Sequence, residues 1–150
     1  MDHSAVLRQV DRIMALNLGK DEKLSLVAHV LRQEVSHYNW VGFYIVDTSS
    51  RELVLGPFSG EPTEHVRIPF GKGICGQAAE RGKTFLVQDV SEESNYLSCS
   101  LKVRSEIVVP VMKDGEVKGE IDIDSHTLRP FTAEDEDLLS RIAAKIEACL

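Results

Sequence analysis

Apolar residues open the chain at helical spacing. Val6, Val10, Ile13 and Met14 predict a helix over about 4–16, with Ser4 as its N-cap. A break at 17–21 follows. Leu24, Val27, Ala28, Leu31 and Val35 then form the stripe of a second helix over about 21–36. The period changes at Trp40. Trp40-Val41-Gly42-Phe43-Tyr44-Ile45-Val46 is aromatic and β-branched, as strands prefer, and Glu52-Leu53-Val54-Leu55 returns after the turn Asp47-Thr48-Ser49-Ser50. Residues 56–62 read as loop, and Val66-Arg67-Ile68-Pro69 as a short strand ended by proline. A glycine-rich turn over 70–76 leads into a short helix over 77–81. Residues 84–87 read as a strand, and 89–101 as a long, polar, irregular stretch. Strands over 106–111 and 117–123 form a hairpin across Lys113-Asp114-Gly115. Thr132, with Asp135 three positions on, is close to a capping box for a last helix carrying Leu138, Leu139, Ile142, Ile146 and Leu150.

Neighbouring strands joined by hairpins imply an antiparallel sheet, and helices at both ends can pack together on one of its faces. The expectation is an α+β layered domain whose other face is covered by the irregular stretch. A loop of that length is usually functional.

At 150 residues and 43% hydrophobic, the sequence fits one globular domain over 1–150 with a real core. A net charge of −7 speaks against a nucleic-acid surface. No apolar run is long enough for a membrane span, and Met1-Asp2-His3-Ser4 does not open a signal peptide, so a cytoplasmic location is the default. The thiols are odd in number, Cys75, Cys99 and Cys149, which favours free or catalytic cysteines over a disulfide framework. No Cys or His cluster has zinc-ligand spacing, so no metal is expected. Gly71-x-Gly73-x-x-Gly76 mimics a dinucleotide fingerprint but lacks the parallel βαβ context, and no cofactor is expected.

The candidate chemistry centres on Ile121-Asp122-Ile123-Asp124-Ser125. Side chains alternate along a strand, so Asp122 and Asp124 share one face. Glu106 opens another apolar strand. Carboxylates on a sheet face are costly unless a cation or hydrogen-bond donor meets them. With Cys99 nearby in sequence, these acids suggest an anionic cup for an ammonium group or an acid proton beside a sulfur nucleophile. Acids would raise a thiol pKa, so they are better cast as substrate binders and proton donors than as thiol activators. Trp40 and Tyr44, four apart on one strand, share a face and could wall a pocket or simply pack the core.

Six runs stand in order along the chain: Asn39-Trp40-Val41-Gly42-Phe43-Tyr44, Leu53-Val54-Leu55-Gly56-Pro57-Phe58, Val66-Arg67-Ile68-Pro69, Gly71-Lys72-Gly73-Ile74-Cys75-Gly76, Ser105-Glu106-Ile107-Val108-Val109-Pro110, and Asp122-Ile123-Asp124-Ser125 followed by Phe131-Thr132. Together they resemble the free methionine-(R)-sulfoxide reductases of the GAF superfamily. The resemblance implies a GAF fold and thiol-dependent reduction of free methionine sulfoxide. Cys99 would be the nucleophile, and Glu106, Asp122 and Asp124 would bind substrate, with Asp124 favoured as the protonated acid. Trp40 and Tyr44 would line the pocket around the S-methyl group, and a thioredoxin-type protein would be the reductant. A family cysteine that precedes the Val-Arg-Ile-Pro strand is replaced by His65, so the recycling step is what the resemblance does not carry. Cys75 is the candidate to resolve the oxidised nucleophile if it approaches Cys99; otherwise an external reductant attacks the sulfenic acid directly. A non-catalytic GAF domain that binds a small ligand or regulates a partner is the alternative. The helical stripes over 4–36 and 132–150 also allow a homodimer, since terminal helices of GAF domains often pair.

Overall fold

A computed structural model describes residues 3–98 and 100–150. Helices α1 (His3–Met14) and α2 (Lys20–Glu34) are followed by strands β1 (Trp40–Asp47), β2 (Glu52–Ser59) and β3 (Arg67–Pro69). Helix α3 (Gly73–Arg81), β4 (Phe85–Val87), β5 (Ser105–Lys113), β6 (Glu116–Ser125) and α4 (Ala133–Ile146) complete the order. The strands form one six-stranded sheet in the order β3-β2-β1-β6-β5-β4, and every adjacent pair is antiparallel. The α+β layering expected from the pattern is present. No described helix is long and apolar enough to cross a membrane.

Period-two alternation divides the sheet residues between two cores. Val41, Phe43, Ile107, Val109, Ile121 and Ile123 face α1, α2 and α4, and meet Val10, Leu31, Leu138 and Ile142 in the larger cluster. All of these except Val109 are wholly buried. Full burial of each such side chain contributes about 1.5–3 kcal/mol. The apolar stripes of all three long helices are therefore buried within one chain. Trp40, Tyr44, Leu53, Ile68 and Val108 face the other way, where Ile74, Cys75 and Ala78 of α3 cover them. The irregular stretch, expected over that face, contributes Tyr96 and Leu97 there, and α3 packs beside it.

The end of β2 and the start of α3 differ from the sequence expectation. β2 runs through Pro57 to Ser59. The register with β1 shifts between Gly42 and Tyr44, so Phe43 faces the two residues Gly56 and Pro57, a bulge that needs no N–H from proline. On its other side β2 pairs with β3 only over Glu52–Val54, which leaves Pro57 on an edge. Helix α3 starts at Gly73 rather than Gln77, so Cys75 lies in its first turn. Gly76 is tolerated there because a Cβ would sit 2.6 Å from the Pro69 carbonyl oxygen, so close packing demands glycine.

The capping box of α4 forms. Thr132 donates its backbone N–H to Asp135 Oδ2 at 2.9 Å. Asp135 also accepts from the Tyr38 hydroxyl at 2.6 Å and pairs with His37 Nε2 at 3.1 Å, tying α4 to the α2–β1 connection. Burial alone would raise the Asp135 pKa, but these hydrogen bonds outweigh it and hold the carboxyl below its ordinary range.

Candidate active site

β6 lies between β1 and β5, and its register sets the site. Asp124 stands opposite Trp40 on β1 and Glu106 on β5. Asp122 stands opposite Gly42 and Val108, and Glu120 opposite Tyr44 and Pro110. Four carboxyl groups therefore occupy one face beside two aromatic rings. Glu106 is 6%, Glu120 0%, Asp122 3% and Asp124 3% exposed.

The aromatic wall is fixed by missing side chains and by hydrogen bonds. A Cβ on Gly42 would lie 2.3 Å from the Trp40 ring, and one on Gly60 would lie 2.6 Å from it. The indole thus fills the space both glycines leave. It stacks on Phe58, with centroids 5.6 Å apart, and donates Nε1–H to the Glu61 carbonyl at 2.8 Å. Tyr44 donates its hydroxyl to the His65 carbonyl at 2.8 Å.

From the opposite side, the first turn of α3 delivers Cys75. Its thiol points to Glu106 Oε2 at 3.8 Å. The Cys75 sulfur and one carboxyl oxygen each of Glu106 and Asp122 all lie within 4.8 Å of one another. Burial pushes the Cys75 thiol well above its ordinary pKa, and the charges of Asp122, Glu106 and Glu120 add to this. Burial also raises Glu120, Asp122 and Asp124. The Asp122 charge raises Glu120 and Asp124 further, while hydrogen bonding to Glu106 and Cys75 and the nearby His65 restrain Asp122. Among the described residues, Oδ1 of Asp122, Oδ1 of Asp124 and both oxygens of Glu120 have no hydrogen-bond partner. The face is a store of carboxylic protons, able to give one to a developing oxyanion or to exchange it for a cation.

The irregular stretch is pinned over this face at two points. Asn95 donates to the Gly71 carbonyl at 2.8 Å and accepts the Gly73 N–H at 2.9 Å, and Gln77 donates to the Asn95 carbonyl at 3.0 Å. His65 Nε2 meets the Ser98 carbonyl at 2.9 Å. A cavity of about 10 Å³ remains among Tyr44, His65, Cys75, Leu97, Glu106 and Asp122. A second, of about 90 Å³, lies against Trp40, Asp124, Arg32, Ser100 and His126. A roomier concavity of about 480 Å³, between Arg51, Phe70, Arg81 and Val117, includes none of the acids or thiols named above.

The structure thus brings Trp40, Tyr44, Cys75, Glu106, Asp122 and Asp124 to one face. Cys99 lies outside the described residues. Cys149 ends the chain's other layer, in the helical core. His65, which stands where the resemblance has a cysteine, lines the cavity with Cys75. Glu120 was missed, although the same alternation that paired Asp122 with Asp124 extends back to it. Asn95 and the His65–Ser98 contact had no local sequence signal.

The GAF domain family matches residues 18–150. The free methionine-R-sulfoxide reductase of Escherichia coli is 36% identical over 139 residues, spanning 91% of this chain and 82% of that protein. Protein YtsP of Bacillus subtilis is 34% identical over 149 residues, spanning 99% of this chain and 91% of its own. Among solved structures, free methionine-R-sulfoxide reductase from Neisseria meningitidis, in complex with its substrate, superposes with a TM-score of 0.92 at 41% identity, covering 98% of this chain and 87% of that one. The type II enzyme of Thermoplasma acidophilum gives a TM-score of 0.83 at 38% identity, covering 87% of this chain and 91% of that one.

Proposed function

The chain belongs to the GAF domain family and, within it, to the free methionine-R-sulfoxide reductases, and on that premise we propose that it reduces free L-methionine (R)-sulfoxide to L-methionine. The observation that carries this reading is the carboxyl row of Glu106, Asp122 and Asp124 beside Trp40 and Tyr44. A substrate with an ammonium group at one end and a polarizable S-methyl sulfoxide at the other matches an anionic strip bordered by aromatic rings.

Cys99 is the nucleophile in this reading. Its thiolate attacks the sulfoxide sulfur, and Asp124 protonates the departing oxygen. Glu106 and Asp122 hold the ammonium group. The first half-reaction leaves methionine and Cys99 sulfenic acid, with the substrate sulfur reduced by two electrons and the cysteine oxidised by two. Cys75 then attacks the sulfenic sulfur, forming a disulfide and releasing water. Because the Cys75 proton is held tightly and points to Glu106, that carboxylate is the base that receives it. A thioredoxin-type dithiol reduces the disulfide, in keeping with a cytoplasmic setting. Any homodimer would use other faces of the helices, because their apolar stripes lie in the chain's own core.

The test is a single turnover without external reductant. Reduced protein mixed with free methionine-R-sulfoxide should yield about one methionine per chain, with two thiols lost, and Cys99→Ser should yield none. Saturable binding of the sulfoxide with no methionine formed would replace this reading with that of a ligand-binding GAF domain.

A further inference from the structure

Three buried side chains that are remote in sequence converge on one point. Cys75 comes from the first turn of α3, Glu106 from β5 and Asp122 from β6, and their ligand atoms lie within 4.8 Å of one another. We infer that Cys75, Glu106 and Asp122 form a binding site for a borderline-soft divalent cation, with Zn²⁺ the ion their sulfur and oxygen donors suit.

The distances fit. Zinc binds thiolate sulfur at about 2.3 Å and carboxylate oxygen at about 2.0–2.2 Å in tetrahedral geometry, which separates a sulfur from an oxygen ligand by about 3.5 Å. The Cys75 sulfur and Glu106 Oε2 are 3.8 Å apart, so closure on an ion asks for a shift of a few tenths of an ångström.

The second observation is independent of the clustering. Asp122 is 3% exposed, and its Oδ1 has no hydrogen-bond partner among the described residues. A buried acceptor left this way costs about 1–3 kcal/mol, so something that coordinates it is favoured. Asp122, Cys75 and Glu106 all line the same cavity of about 10 Å³, the size of about one water or one ion. Magnesium and calcium do not fit, since they take oxygen ligands only and more of them than this site offers. Three protein ligands leave a fourth position open to water, the arrangement of a zinc site that still exchanges its outer ligand. Sequence spacing could not reveal the site because its ligands come from three separate elements.

Under the reductase reading, the ion and the substrate ammonium would compete for Glu106 and Asp122, and the ion would also mask the thiol that resolves Cys99. Binding itself does not depend on that reading, so the experiment reads binding and not turnover.

Reduced full-length protein is titrated with Cd²⁺, whose thiolate complexes absorb in the near ultraviolet, and then with Zn²⁺ against a chromophoric chelator. The expected result is one ion per chain with a cadmium–thiolate band. Cys75→Ser abolishes the band, whereas Cys99→Ser and Cys149→Ser retain it. Asp122→Asn weakens Zn²⁺ by about tenfold or more, since even outer-shell losses commonly cost that much. A band that survives in Cys75→Ser overturns the inference, as does unchanged Zn²⁺ affinity in a folded Asp122→Asn variant or the absence of stoichiometric binding in the parent.

Discussion

Glu120 offers the sharpest energetic test of the acid row. It is 0% exposed, neither of its carboxyl oxygens has a hydrogen-bond partner among the described residues, and it stands between Tyr44 and Pro110 in the sheet. Glu120→Met keeps an unbranched chain and removes both oxygens. An unpaired buried polar group costs about 1–3 kcal/mol, so the variant should be more stable by about that much. With a urea m-value of about 2 kcal/mol/M, the unfolding midpoint should rise by about 0.5–1.5 M. The gain should also depend on pH. Burial and the Asp122 charge raise the folded pKa of Glu120 above its unfolded value near 4. Between those two values the folded state holds a proton that the unfolded state has released, so stability falls as pH rises. Urea melts at pH 5 and pH 8 should therefore show the parent weakening with pH, and the variant weakening less. Asp122 and Asp124 preserve part of the slope. The reasoning is refuted if the Glu120→Met midpoint lies at or below the parent's at both pH values.

Three further outcomes are expected. Asp135→Ala strands the buried Tyr38 hydroxyl and undoes the α4 cap, and should cost about 2–4 kcal/mol at pH 7 in urea melts. Because the Asp135 pKa is lowered in the folded state, its contribution is present above about pH 4 and fades as pH falls through the folded value, so the gap between variant and parent should narrow in acid. Gly42→Ala puts a methyl 2.3 Å from the Trp40 ring, so the indole must leave its slot. The emission of this single tryptophan should shift, and KM for the sulfoxide should rise about tenfold, or ~1.4 kcal/mol; an unmoved spectrum and KM would remove Trp40 from the pocket wall. Cys75→Ser should still form one methionine per chain but stop repeated turnover with a dithiol reductant. Sustained cycling in that variant would mean that another thiol, or the reductant itself, resolves Cys99.

Much of this architecture was readable locally. The alternation of Asp122 and Asp124 against Ile121 and Ile123 assigned opposite faces correctly, because a strand side chain has only two directions to choose from. Trp40 and Tyr44 followed by the same rule. The α4 start followed from Thr132 and Asp135, which need only each other. What escaped was non-local or disguised. Gly56-Pro57 looked like an end to β2, yet a bulge opposite Phe43 absorbs both residues. Gly76 looked like part of a turn, yet it lies in α3 because the Pro69 carbonyl leaves no room for a side chain. The meeting of Cys75 with Glu106 and Asp122 joins α3 to two strands, and no local pattern encodes it. Sequence order set the acids beside Cys99, which lies outside the described residues, and the described contacts bring Cys75 to them as well.

Three of the four acids, Glu120, Asp122 and Asp124, belong to β6, which is hydrogen-bonded on both sides, by β1 along Gly119–Asp124 and by β5 along Glu116–Ser125. Such a strand opens to solvent only with the whole fold, whereas α3 and the stretch pinned by Asn95 and His65 can loosen at lower free energy. On the proposed mechanism, grip and sulfur chemistry fall to parts of the molecule with different lifetimes. The β6 carboxyls keep their shape through every excursion short of global unfolding. In that mechanism Cys75 moves with α3 toward the oxidised Cys99 and back, while the acids proposed to hold the ammonium group stay in place.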